Sequence, residues 1–442
     1  MSFLNANGLP ITATARQVVE EYDRALDQLH RYKGDPVATI DLALSEDPEF
    51  VMGHVFRAGA LLSGTEKGLE GDARRSVEAA EALAGTANER ELRLIGAFRA
   101  WLNGDLHDAA ARLANVTVDD PHDGFALQLG HLADFYVGDA GMLRDRLARA
   151  VPAWNESIPG FAYVLGMYAF GLEEAGDYRH AEDVGRRAVE LARDDCWAIH
   201  AIAHVLEMEG RREEGIDWLT ARIHDWAPDN FFAVHNWWHL ALYHLDVGNE
   251  EEVMRLYDKA VRPGPKASIL DAVDASALLW RLHLVGLPVG QRWDELATLW
   301  ASWAQEGYYA FNDAHAMMAY VAAGRREAAY NLLETLERRV DGVGSNATMT
   351  REVGLPICRA LLAFGDARYG ETVDELLRIR RYLHHFGGSH AQRDVFARTL
   401  VEAADRSGRD ALSTALLSER MERRQVSPVH LPSLLSRARA QA

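Results

Sequence analysis

The sequence predicts an all-α protein, an α-solenoid or superhelix of paired antiparallel helices. Three observations predict it. From about Thr14 to about Arg424, apolar residues recur at i, i+3, i+4 and i+7 in block after block. Alternating β-branched residues joined by hairpin turns are absent. Glycines followed by a polar residue close one helical block and open the next, at spacings of roughly 34 to 40 residues, the period of helix–turn–helix repeats.

In chain order, residues 1–13 read as an N-terminal extension, 14–424 as a single helical-repeat domain and 425–442 as a C-terminal tail. The repeats show themselves in LNGDLHDAAARL (102–113), EEAGDYRHAEDVGRRAVELA (173–192), EMEGRREEGIDWLTARI (207–223), LDVGNEEEVMRLYDKAV (245–261) and VAAGRREAAYNLLETL (321–336). The Gly-Asp-Tyr-x-x-Ala of Gly176–Ala181, followed by Ala188, matches the tetratricopeptide pattern; other copies are degenerate, and Gly215 stands where alanine is usual. Each pair buries its face on its neighbours, so the pairs, about ten or eleven, form one cooperative array. Pro263–Lys266 is a local break and Asp341–Asn346 a loop.

The composition narrows the class. A chain of 442 residues with 48% hydrophobic content can bury a full core. The formal net charge of −19 opposes a nucleic-acid partner and an anionic membrane. Two cysteines, Cys196 and Cys358, cannot make a disulfide framework, so a reducing, cytoplasmic location is expected. The first residues lack the basic start and apolar run of a secretory signal, and no run reaches the 18 apolar residues of a membrane span.

The strongest chemical signal lies in 196–249. CWAIHAIAHVLEMEGRREEG carries His200 and His204, and FFAVHNWWHLALYHLDVGN carries His235 and His239. Residues at i and i+4 stand one above the other on a helix, so each pair presents two imidazoles in one direction. Ile199, Ile202, Ala203 and Leu206 form the packing stripe of the first helix, and His200, His204 and Glu207 a second stripe about 100° away. In a tetratricopeptide array, the likeness implies, that flank looks into the concave groove. On the second helix His235 and His239 lie opposite the core side, with Asp246 beside them; His244 falls with the core. FNDAHAMMAY (311–320) repeats the theme: His315 takes the place His239 holds, and Asn312 or Asp313 is the expected N-cap. Nine of eleven tryptophans lie between Trp197 and Trp303. Most serve repeat packing; Trp197, Trp238 and Phe311 are the candidates for a pocket wall.

The runs DPEFVMGHVFRAGALLSG (47–64), WAIHAIAHVLEMEGR (197–211), HNWWHLALYHLDVGN (235–249), DASALLWRL (274–282), FNDAHAMM (311–318) and GGSHAQRDVF (387–396) resemble the tetratricopeptide repeat protein 38 family over nearly the whole chain. The resemblance implies a soluble helical-repeat fold and carries no activity. GGSHAQRDVF also reads on its own terms. Gly387-Gly388 ends the preceding chain, Ser389 is an N-cap, and His390 and Asp394 are i, i+4 neighbours with Arg393 one step round. It is either a capped helix start with an internal Asp–His pair or a pocket rim.

Three readings of the histidines stay open. His200, His204, His235 and His239 could chelate one divalent transition metal, with Glu207, Asp246 or Asp313 adding a carboxylate; the glutamate of the zincin signature is absent between either pair. They could instead act without metal as general acids and bases. The groove could also bind a peptide or small ligand without chemistry. Walker, Gly-x-Gly-x-x-Gly and Gly-x-Ser-x-Gly motifs are absent, and Cys196 reads as a packing residue. Elimination favours an enzyme, a hydrolase or lyase acting on a small polar or aromatic molecule, with non-catalytic ligand binding as the alternative. Homo-oligomerisation is left open.

Overall fold

A computed structural model describes residues 1–264, 267–303 and 307–423. Pro265, Lys266 and the expected tail at 425–442 lie outside the described residues. The described residues are all-α apart from one hairpin, and the chain divides into two compact units, residues 1–202 with 223–233, and 203–222 with 234–442. Each unit is built from successive helices packed in pairs.

The hairpin corrects the expectation of no strand. β1 (Ser2–Leu4) and β2 (Pro10–Thr12) pair antiparallel, with Phe3 opposite Ile11. Asn5 makes the turn by accepting from the backbone N–H of Leu9 at 2.8 Å, and Ile11 is buried. Ten helices follow in the first unit: α1 (Arg16–Arg31), α2 (Pro36–Glu46), α3 (Val51–Leu62), α4 (Glu70–Ala82), α5 (Glu89–Leu102), α6 (Leu106–Asp119), α7 (Gly124–Tyr136), α8 (Ala140–Ala150), α9 (Phe161–Glu174) and α10 (Tyr178–Leu191). Their starts are written in the sequence: the side chains of Asp35, Asp105, Asp123 and Asp139 each accept a first-turn N–H, and Asn88 with Glu91 forms a capping box.

α11 (Cys196–Met208) begins in the first unit and ends in the second. α12 (Arg212–Thr220) belongs to the second unit and α13 (Ile223–Trp226) to the first. The second unit continues with α14 (Ala233–Asp246, all but its first residue), α15 (Glu250–Leu256), α16 (Ile269–Leu284), α17 (Arg292–Ser302), α18 (Ala310–Ala322), α19 (Arg326–Arg339), α20 (Ser345–Met349), α21 (Leu355–Gly365), α22 (Tyr369–Ile379), α23 (His390–Arg406) and α24 (Asp410–Arg423).

The first helix of a pair is buried on nearly every face, as in α16 and α18, whereas the second, such as α10 or α19, buries one stripe. The turn inside a pair needs a left-handed residue, which Gly176 supplies at φ 84° between α9 and α10. At Gly215 a β-carbon would stand 2.2 Å from the Tyr243 ring, whose hydroxyl donates to the Ala203 carbonyl. That contact is why this repeat departs from alanine. The expected cap of α18 is corrected: Asn312 and Asp313 are buried inside the helix, and Asn346 accepts from the Ala310 N–H at 2.8 Å. Ser389 caps α23 as expected, in a box with Gln392.

Candidate metal centre

The apolar stripe that buries α11 and α14 leaves their histidine stripes on a second face, and both helices are covered there too. In the second unit His204, His235 and His239 come together. The His204 and His239 rings lie 4.5 Å apart and those of His235 and His239 4.9 Å apart. Each offers a ring nitrogen within 4.8 Å of the others. His200 stands one turn before His204 on the same helix, in the part that belongs to the first unit.

Two carboxylates orient this cluster. Glu207 Oε2 is 3.1 Å from His239 Nδ1, and Asp274 Oδ2 on α16 is 2.8 Å from His235 Nδ1. A carboxylate only accepts, so each Nδ1 carries the hydrogen and each Nε2 keeps its lone pair. His204, His239, Glu207 and Asp274 are all buried. Burial, and then the His239 imidazole, hold the His204 pKa well below its ordinary value; the Glu207 carboxylate opposes them, and His235 and His390 add to the lowering. A neutral imidazole is a ready ligand for a soft or borderline metal ion, and with its other nitrogen pinned by a carboxylate it is a pre-oriented one.

GGSHAQRDVF, nearly two hundred residues later, opens α23. α23 packs on α16, where Arg281 Nη2 donates to the Ala391 carbonyl at 2.6 Å and Trp280 Nε1 to Thr399 Oγ1 at 2.9 Å. In α23 Asp394 takes Arg420 of α24 at 2.8 Å, while Arg393 donates to the Gly388 carbonyl.

The remaining expected residues fall into place differently. Trp238 stacks on His235 at 5.2 Å and meets His239 edge-on at 4.8 Å, so it is a wall of the centre. Trp197 belongs to an aromatic cluster of the first unit, with Tyr32 at 5.5 Å and Phe170 and Phe232 each at 5.0 Å; the His200 ring lies 5.1 Å from it. Asp246 is not brought to the histidines: it sits at the end of α14, 3.8 Å from Arg212. His315 is set beside Phe311 and Phe396 and within the field of Arg281, outside the imidazole cluster. Asp313 is buried in α18, and burial pushes its carboxyl up to about 8. Asp274 and Arg281 were not singled out from the sequence. The signal available was Asp274 and Arg281, seven residues apart and so two turns along one face of a largely apolar helix.

No family model matches the chain. It is similar to solved structures of the human IFIT1 dimer with PPP-AAAA, at 15% identity and a TM-score of 0.41 over 93% of this chain and 92% of that one. It is also similar to the crystal structure of yeast Tom70, at 12% identity and a TM-score of 0.36 over 96% of this chain and 87% of that one. No helix among the described residues is long and apolar enough to cross a membrane.

Proposed function

We propose that this chain is a ligand-binding helical-repeat protein whose ligand is a divalent transition-metal ion, held by His204, His235 and His239. The observation that carries the reading is the pair of Nδ1–carboxylate contacts, Glu207 to His239 and Asp274 to His235. Outer carboxylates of this kind fix the tautomer and raise the basicity of ligating imidazoles. An all-imidazole donor set suits zinc, copper, nickel or iron and does not suit magnesium or calcium. The net charge of −19 supports a cation or small molecule over nucleic acid as the ligand, and the resemblance to the tetratricopeptide repeat protein 38 family supports the repeat fold without adding an activity.

A second reading is metal-assisted hydrolysis or elimination on a small molecule. It is favoured by His235, whose side chain is 13% exposed while its neighbours are closed off, which leaves one side of the centre open to a substrate or water. The test of metal binding is a competition titration of the metal-free full chain with zinc against a chromophoric chelator. The expected result is one ion per chain, with affinity falling more than about a hundredfold in His204→Ala and His239→Ala. Equal zinc uptake by wild type and both variants would overturn the proposal.

A further inference from the structure

In the second unit an open cleft lies between the ends of α22 and α24, lined by Arg380, Arg381, Glu419, Glu422 and Arg423. It shares Arg380, Glu419 and Arg423 with a narrower crevice, whose lining adds Leu376, Leu383 and Leu416. Arg380 donates from both Nη atoms to Glu419, at 2.9 and 3.2 Å, and so clips α24 to the end of α22. Arg381, Glu422 and Arg423 are exposed and form no ion pair among the described residues. Tyr382, between the lining residues Arg381 and Leu383, is 51% exposed.

A surface that meets its own copy about a two-fold axis must complement itself, because every contact is made twice with the roles exchanged. This face holds what such a contact needs. Outside the internal Arg380–Glu419 pair it offers both charge signs, an exposed aromatic ring and an apolar crevice. A partner of one sign fits it less well: an acidic chain would face Glu419 and Glu422, and a basic one the three arginines. At a net charge of −19 two copies repel one another in general, so a contact between them needs a face on which opposite charges can be matched.

We propose that this face joins two copies of the chain about a two-fold axis. Glu422 of each copy meets Arg381 and Arg423 of the other, and each Tyr382 enters the crevice of the other copy as a buried aromatic anchor. The inference is independent of the metal centre. The full chain is followed by sedimentation velocity at loading concentrations from about 1 to about 100 μM. The expected result is a concentration-dependent dimer, with Tyr382→Ala raising its Kd at least about tenfold. Glu422→Arg sets like charges against each other and gives a monomer, as does the double variant Arg381→Glu/Arg423→Glu. Mixed in equal amounts, these two charge-reversed variants match opposite charges at both contacts and form a heterodimer. All the positions are exposed, so every variant keeps the helical circular dichroism of the wild type. A wild type that stays a monomer at every concentration overturns the proposal; that is the outcome if residues 425–442 of the same chain or an unlike partner take the face. A dimer that survives all the substitutions overturns it, as do two monomeric variants whose mixture stays monomeric.

Discussion

Burying imidazoles deprives them of water, and what replaces the water decides what they can do. Glu207 and Asp274 take the Nδ1 hydrogens of His239 and His235 and leave two lone pairs with fixed directions. Replacing either acid by its amide keeps the volume and removes the charge. Asp274→Asn and Glu207→Gln are expected to lower zinc affinity by about 10- to 100-fold each, with the helical circular dichroism unchanged. An unchanged affinity in both would place the carboxylates outside the centre. The histidine pairs and Glu207 were legible because i, i+3 and i+4 on one helix determine a common face. Asp274 was not, because its partner lies on another helix, thirty-nine residues away. Asp246 was preferred for its nearness in sequence, yet it sits at the helix end, where Arg212 draws it. Nearness along the chain also misled at α18: Asn312 and Asp313 stand where a cap belongs, and Asn346 does the capping from the first turn of α20.

At the scale of elements, close approach is set by missing side chains. A β-carbon on Gly171 of α9 would stand 2.5 Å from the Leu143 carbonyl oxygen of α8, a backbone atom that cannot swing away. Gly171→Ala is therefore expected to destabilise the protein by about 1–3 kcal/mol despite alanine's better helix propensity, read as a lowered midpoint in urea. A raised midpoint would mean that α8 and α9 are free to separate. The glycine rhythm that announced the repeats was visible because each helix pair turns on a left-handed residue, as at Gly176 and Gly210. The hairpin of β1 and β2 was invisible because strands of three residues are too short to show alternation. The division within α11 has no sequence mark, since the helix runs through it unbroken.

For the whole molecule, buried ionisable groups shape the response to pH. Burial lowers His30 to about 4, His131 to about 3 and His315 to about 4, and it raises Asp195 to about 7 and Asp313 to about 8. Between about pH 6.5 and 4 the unfolded chain takes up protons at the three histidines that the folded chain refuses. Asp195 and Asp313 oppose this, being already protonated when folded, but His204, His244 and His283, also lowered by burial, add to the histidine side, and stability falls as the pH drops. Above the ordinary histidine pKa the histidines no longer contribute, and Asp195 and Asp313 lose their protons in the folded state. Stability now falls as the pH rises towards 8. Thermal unfolding followed by circular dichroism should show a maximum near neutrality; a midpoint rising steadily from pH 5 to pH 8 would show that these groups are not buried as described. The central claim is the metal centre, and anomalous diffraction from crystals of the zinc-loaded full chain tests it most directly. The account predicts one strong zinc peak bounded by ring nitrogens of His204, His235 and His239, at roughly 2.0–2.1 Å from each. No peak, or a peak bound only by surface side chains elsewhere, would contradict it.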